Sequence, residues 1–266
     1  EFMDKVSAKG FSMGYIGSVI LLIVNLLLYQ KYELFGFENG SSATRFGFIL
    51  VGIWWMGFSQ IAFYYLKDSN SRKKITFKIL GNGTKELRKV WEVVKDRSVM
   101  KRFLYSFFLF SMGVQTVMLL APLFADKEIN MGADEMIYIV LILQILAIGG
   151  AYFFAWLSKL RGNGFAISTT LLIWIFICIS GYFTQDKISF YSLAAFLGFV
   201  MGGIQSISRS TYSKLIPVKA KDTASYFSFY DITEKLAIVI GSLSYGFIDQ
   251  VTGSMRYSMV FMSLFF

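Results

Sequence analysis

Residues 136–158 read MIYIVLILQILAIGGAYFFAWLS, and residues 164–184 read GFAISTTLLIWIFICISGYFT. Each is about as long as an α-helix must be to cross a hydrocarbon core roughly 30 Å thick. Only Lys159-Leu160-Arg161-Gly162-Asn163 separates them, so two membrane helices follow one another with a short basic turn between. Working outward, comparable apolar runs occupy approximately 11–29, 46–66, 103–125, 188–208 and 226–248, and an eighth begins near Tyr257. Buried helices of a soluble protein are the competing explanation. Seven runs without a polar face, however, leave nothing to meet water.

Composition agrees. Hydrophobic residues make up 55% of the 266 and charged residues 16%, where soluble domains carry about 25% charged residues. There is no histidine, and Cys178, inside an apolar run, is the only cysteine. Zinc sites, Ser-His-Asp triads and Cys-His pairs are thereby excluded, as is a disulfide within the chain. No Walker pattern is present, and no glycine-rich phosphate loop follows a strand. No metal and no cofactor are expected.

The net charge of +9 is unevenly placed. Residues 67–102 hold twelve Lys/Arg against Asp68, Glu86, Glu92 and Asp96. Taking connections alternately, twenty basic residues fall on one side of the membrane and five on the other, with Lys235 inside a span. Lys and Arg collect on the cytoplasmic side of membrane proteins, so the side with twenty, including 67–102, is expected to be cytoplasmic. A basic cluster beside membrane spans is a topology signal and a lipid-headgroup contact, not a nucleic-acid site. Within it, Leu87, Val90, Trp91 and Val94 are spaced i, i+3, i+4, i+7 among basic residues. Two readings stand open: an amphipathic helix in the headgroup region with Trp91 buried, or a solvated linker. The chain opens on Glu1-Phe2 before a basic flank and ends inside an apolar run of about ten residues, too short to cross. The expectation is a fragment, and no signal peptide is visible.

Two spans, a long basic loop and six spans resemble the tail of the six-plus-six layout of the major facilitator superfamily. Four stretches sharpen the likeness. Residues 7–17 (SAKGFSMGYIG) resemble the start of the fifth helix of that superfamily's vacuole-effluxer branch, whose bacterial members are many. Residues 113–117 (GVQTV) resemble its seventh helix. Residues 202–210 (GGIQSISRS) resemble its tenth, and residues 227–231 (FSFYD) with Lys235 its eleventh. The resemblance implies an all-α, partial major facilitator bundle of helices five to twelve. Residues 1–66 would close the N-terminal half, 67–102 would be the cytoplasmic inter-half loop, and 103–266 would be the C-terminal half, truncated in its last helix. One departure stands out. The turn at 157–163 lacks the acidic residue of the superfamily's loop signature, which puts that loop's charge-pair latch in doubt.

Ionisable groups at membrane depth cost at least ~2.5–3.5 kcal/mol each and need a reason. Asp231, Glu234 and Lys235 stand together early in the seventh span, and Arg209 closes the sixth. Asp231 and Lys235 are spaced to pair, Arg209 to pair with Asp231 or hold an anionic group. All four are coupling or gating candidates. The plain alternative is interfacial stapling and anchoring, which suits Glu234 best. Gln115, Thr116, Gln144 and Gln205 are the substrate-binding candidates, because cavities between bundle halves need hydrogen-bonding groups. Interhelical glue is their plain alternative. Gly10/Gly14 and Gly198/Gly202 are G-x-x-x-G pairs suited to close helix approach.

The function expected is secondary transport of a small polar solute by alternating access, with amino-acid efflux implied by the resemblance alone. The partners are then the lipid bilayer, that solute and protons as a coupling ion, in a bacterial cytoplasmic membrane. A non-transporting multi-span receptor is the alternative, and the partial eighth span argues against it. A membrane enzyme would need a convergent catalytic set, which the sequence lacks.

Overall fold

A computed structural model describes residues 2–66, 78–217 and 223–266. Among the described residues there is no strand. The helices are α1 (Phe2–Gln30), α2 (Gly40–Tyr65), α3 (Lys78–Asp96), α4 (Ser98–Ile129), α5 (Ala133–Phe183), α6 (Lys187–Leu215), α7 (Thr223–Thr252) and α8 (Met255–Met262). α5 contains the two apolar runs 136–158 and 164–184 and breaks at Gly162, where φ is 85° and ψ 162°. A side chain would be strained at that φ, so glycine is what permits the break. Among the described residues α1, α2, α4, α5 and α6 are long and apolar enough to cross a membrane. α7 is outside that set, with Asp231, Glu234 and Lys235 in its first half, yet its 30 residues suffice in length.

The chain divides into two compact units, Gly17–Gly81 and Glu1–Ile16 with Asn82–Phe266. In the smaller, the second half of α1 meets α2 where Gly47 leaves space for Asn25 and Gly40 for the Tyr29 ring. Asn25 also donates to the Leu21 carbonyl at 2.8 Å, which satisfies its amide inside an apolar helix.

The larger unit is built on α5 and α6. A Cβ on Gly198 would stand 2.5 Å from the Leu143 carbonyl oxygen, and one on Gly150 or Gly202 would collide with the carbonyls of Phe199 or Ala147. Backbones therefore touch, as small residues allow between membrane helices. The other glycine pair behaves differently, since Gly10 and Gly14 have nothing within 4 Å of a Cβ position. α4 packs on α7, with the Phe107 and Tyr230 rings 4.1 Å apart and Thr116 against Gly241.

Helix ends gather at two poles of this unit. At one, Asp4 of α1 meets Lys214 of α6, Asn163 of α5 meets Thr211, and Phe103 stacks on Tyr212. α3 joins this pole. Val90 and Val94 are buried, and Trp91 stacks on Phe229 at 6.0 Å with Lys95 above its ring. So residues 78–96 form the helix that the periodicity allowed, but its apolar face is covered by protein, with Trp91 41% exposed. Residues 67–77 of the basic connection lie outside the described residues. At the other pole, Arg256 bonds Glu128 at 2.8 Å and the Tyr182 carbonyl at 2.9 Å, and Lys187 bonds Glu135. Asp186 caps α6 there through the Ser189 amide and hydroxyl, bonds that hold its carboxyl below the usual range.

Backbone contact has no flexible side chain to yield. Gly202→Val is therefore expected to cost about 3 kcal/mol or more, read as a lowered melting temperature and a smaller folded fraction in detergent.

Candidate functional site

Four helices each contribute one stripe to a cavity of about 150 Å³ in the larger unit. From α4 come Phe107, Phe110, Ser111, Val114 and Gln115, spaced i, i+3, i+4, i+7, i+8. From α6 come Ile204, Gln205, Ser208 and Arg209, and from α7 Tyr230 and Glu234, one turn apart. α1 adds Phe11. Helical periodicity alone thus places polar and aromatic groups on a common face.

Within the cavity the Gln115 side-chain amide donates to a Glu234 carboxylate oxygen, joining α4 to α7. Across from it the Tyr15 hydroxyl donates to the Gln205 oxygen at 2.5 Å, joining α1 to α6. The Gln205 amide nitrogen then meets the Met118 sulfur, at 3.9 Å, as its one side-chain acceptor among the described residues. Ser208 is 1% exposed and its hydroxyl has no partner among the described residues. A buried hydroxyl without a partner costs about 1–3 kcal/mol, so a polar occupant of the cavity would relieve it.

Arg209 reaches Asp231 at 3.5 Å and lies 4.9 Å over the Phe227 ring. Both charged side chains are 43–50% exposed, so this pair contributes on the order of 0–1 kcal/mol. Asp231 pairs with Arg209 rather than with Lys235, which is exposed.

The candidates from sequence divide accordingly. Gln115, Gln205, Arg209 and Glu234 line the cavity; Thr116, Gln144, Asp231 and Lys235 do not. Thr116 is fully buried against Gly241. Gln144 is half-buried on α5, with its side-chain oxygen unpartnered among the described residues. Glu234 bonds Gln115 across α4 and α7, so it ties two helices while also lining the cavity. Tyr15, Ser208 and Tyr230 fall within the stretches 7–17, 202–210 and 227–231 that carry the resemblance, though none is a site candidate there. Spacing points to two of them as well: Ser208 stands three residues after Gln205, and Tyr230 four before Glu234.

Among the described residues no three potential metal ligands cluster. A multi-pass helical bundle with a small polar cavity between its helices is compatible with a major facilitator-type membrane protein, a class of transporters and not of enzymes. The chain belongs to the family described as vacuole effluxer Atg22 like, whose profile matches residues 1–266. It is 26% identical over 253 residues to an uncharacterized MFS-type transporter, YxiO, of Bacillus subtilis, covering 94% of this chain and 58% of that one. It is 25% identical over 280 residues to autophagy-related protein 22 of Kluyveromyces lactis, covering 98% and 55%. The chain thus spans a little over half the length of these relatives. Among solved structures, the E. coli fucose:proton symporter FucP matches with a TM-score of 0.55 and 16% identity over 85% of this chain and 53% of that one. That likeness shows the fold.

Glu234→Leu removes the acceptor of a half-buried amide. The expected loss of stability is about 1–3 kcal/mol, and Glu234→Gln, which keeps an acceptor oxygen, is expected to lose less. Thermal unfolding of the two variants side by side checks this.

Proposed function

We propose that the chain is the greater part of a secondary transporter that moves a small polar solute across the membrane by alternating access. Gln115, Gln205 and the unpartnered Ser208 hydroxyl are its solute contacts. The observation that carries the reading is this half-open cavity, with amide, hydroxyl, carboxylate and guanidinium groups converging from three packed helices and aromatic rings around them. Groups of this kind at membrane depth are costly unless they meet one another, water or a solute. The family description supports export of the solute, and an amino acid suits a site that offers both Arg209 and Glu234. A bacterial cytoplasmic membrane is the proposed location. There the pole holding Lys159, Lys214 and α3 would be cytoplasmic, by the excess of basic residues on that side.

Coupling to protons is assigned to the carboxylates on α7, with Glu234 inside the cavity and Asp231 beside it. The matching solved structure is of a fucose:proton symporter, which is said of that protein.

The test is a solute screen, amino acids included, with the full-length protein in liposomes, with and without a proton gradient. For a solute that is moved, Gln115→Leu is expected to cut transport about tenfold, the worth of one lost hydrogen bond of roughly 1.4 kcal/mol. Gln115→Leu breaks the same bond to Glu234, so transport is compared per folded protein, and unchanged transport would remove Gln115 from the site. Asp231→Asn and Glu234→Gln are then compared in gradient-driven transport and in solute exchange. The coupling carboxylate is the one whose loss stops the first and spares the second.

A further inference from the structure

Two side-chain amides line the cavity, and each is held by a different helix. An amide has a carbonyl oxygen at one end and two N–H groups at the other, so its offer to a solute depends on which end its holder takes. An ionised carboxylate can only accept, and the Gln115 nitrogen donates to that of Glu234. The Gln115 oxygen is the end left over. Gln205 is held in the opposite sense. Its oxygen accepts from the Tyr15 hydroxyl at 2.5 Å, and its nitrogen lies 3.9 Å from the Met118 sulfur. Reversing this amide would set its oxygen against the sulfur, acceptor against acceptor. A thioether accepts only weakly, and from one N–H of the two, so the Gln205 nitrogen keeps donor capacity to spare.

The neighbouring groups repeat this asymmetry. Arg209, one turn after Gln205 on α6, also lines the cavity, and its guanidinium can only donate. Ser208, between them, has a buried hydroxyl without a partner among the described residues. Asp231 draws Arg209 at 3.5 Å from outside the cavity lining, in a half-exposed pair that holds weakly. On α7 Glu234 brings acceptor oxygens and the opposite charge. The α6 wall thus gathers donors and positive charge, and the α4–α7 wall acceptors and negative charge. Tyr15 belongs to neither wall. It stands on α1, half-buried and outside the lining, and reaches the cavity through Gln205.

We propose that Tyr15 is a positioning residue that sets the polarity of the cavity, by fixing Gln205 with its N–H groups toward the solute while Glu234 fixes Gln115 with its oxygen toward it. The solute that fits is bipolar. It turns a carboxylate or carbonyl oxygen to α6 and an ammonium or other N–H donor to α4 and α7. Such a role rests on the transporter reading and adds to it the direction in which the solute lies and the residue that dictates it.

The test uses full-length protein in membrane vesicles, with the buried Cys178 removed by Cys178→Ala. A single cysteine is placed at one of two buried serines of the cavity lining, by Ser208→Cys on α6 or Ser111→Cys on α4. Two methanethiosulfonate reagents of similar size and opposite charge are applied, sulfonatoethyl and trimethylammonioethyl. Each rate is divided by that of the same reagent with free mercaptoethanol. Ser208→Cys is expected to favour the anionic reagent about tenfold, and Ser111→Cys the cationic one by a similar factor. Tyr15→Phe keeps the ring and removes the hydroxyl. It is expected to cut the preference at Ser208→Cys about threefold, less than the loss of a whole charge-assisted bond, and to leave that at Ser111→Cys as it was. A purely structural role for the hydroxyl would change both reagents' rates together and leave their ratio unmoved. If Tyr15→Phe does not reach the membrane, Gln205→Leu is labelled in its place, with the same fall expected. No preference at either serine, the same preference at both, or an unmoved ratio in the folded variant overturns the proposal. Labelling needs no transported solute, so the polarity stands or fails apart from the liposome screen that tests transport.

Discussion

Carbonyl-to-glycine contact between α5 and α6 is the constraint on which the larger unit depends. At Gly150, Gly198 and Gly202 the two helices lie backbone against backbone, closer than any side chain would permit. In lipid no hydrophobic force drives apolar helices together, so dispersion at such short range has to do it. The contact fixes the rotation of α6 as well as its distance. One face is committed to α5, and the adjacent faces are left to line the cavity and to receive α1.

Much of this architecture is legible in sequence because the membrane requires it. A hydrocarbon core demands long uncharged helices, so the apolar runs mark them directly, including the two limbs of α5 on either side of Gly162. Rotation about each helix axis is less legible. Gly198 and Gly202 mediate a close approach, while Gly10 and Gly14, with the same spacing, meet nothing among the described residues. Gln115 and Gln205 enter the cavity, but Thr116, one residue on, is turned about 100° away onto Gly241. Glu234 reads as interfacial by its distance along α7, and only packing shows that it faces Gln115. Asp4 carried no mark at all. An acid beside Lys5 in a basic flank looks like any helix start, and its partners lie up to 210 positions away.

The two poles use ion pairs differently. Arg256 binds Glu128, the Tyr182 carbonyl and the Thr184 carbonyl, so it locks α4, α5 and α8 to one another. Those helices also share extensive apolar burial, and the arginine adds rigidity where the elements already belong together. Lys214 does the reverse. It joins elements distant in sequence, binding Asp4 of α1 and Asn163 of α5.

α6 carries the two functions on consecutive residues. Gln205 and Arg209 look into the cavity, while Ser206 and Ser210 look toward α1. On one stiff helix these faces cannot be loaded independently. Any rotation of α6 that turns Gln205 and Arg209 toward a solute must carry Ser206 and Ser210 with it, so the cavity and the contact with α1 cannot be adjusted separately.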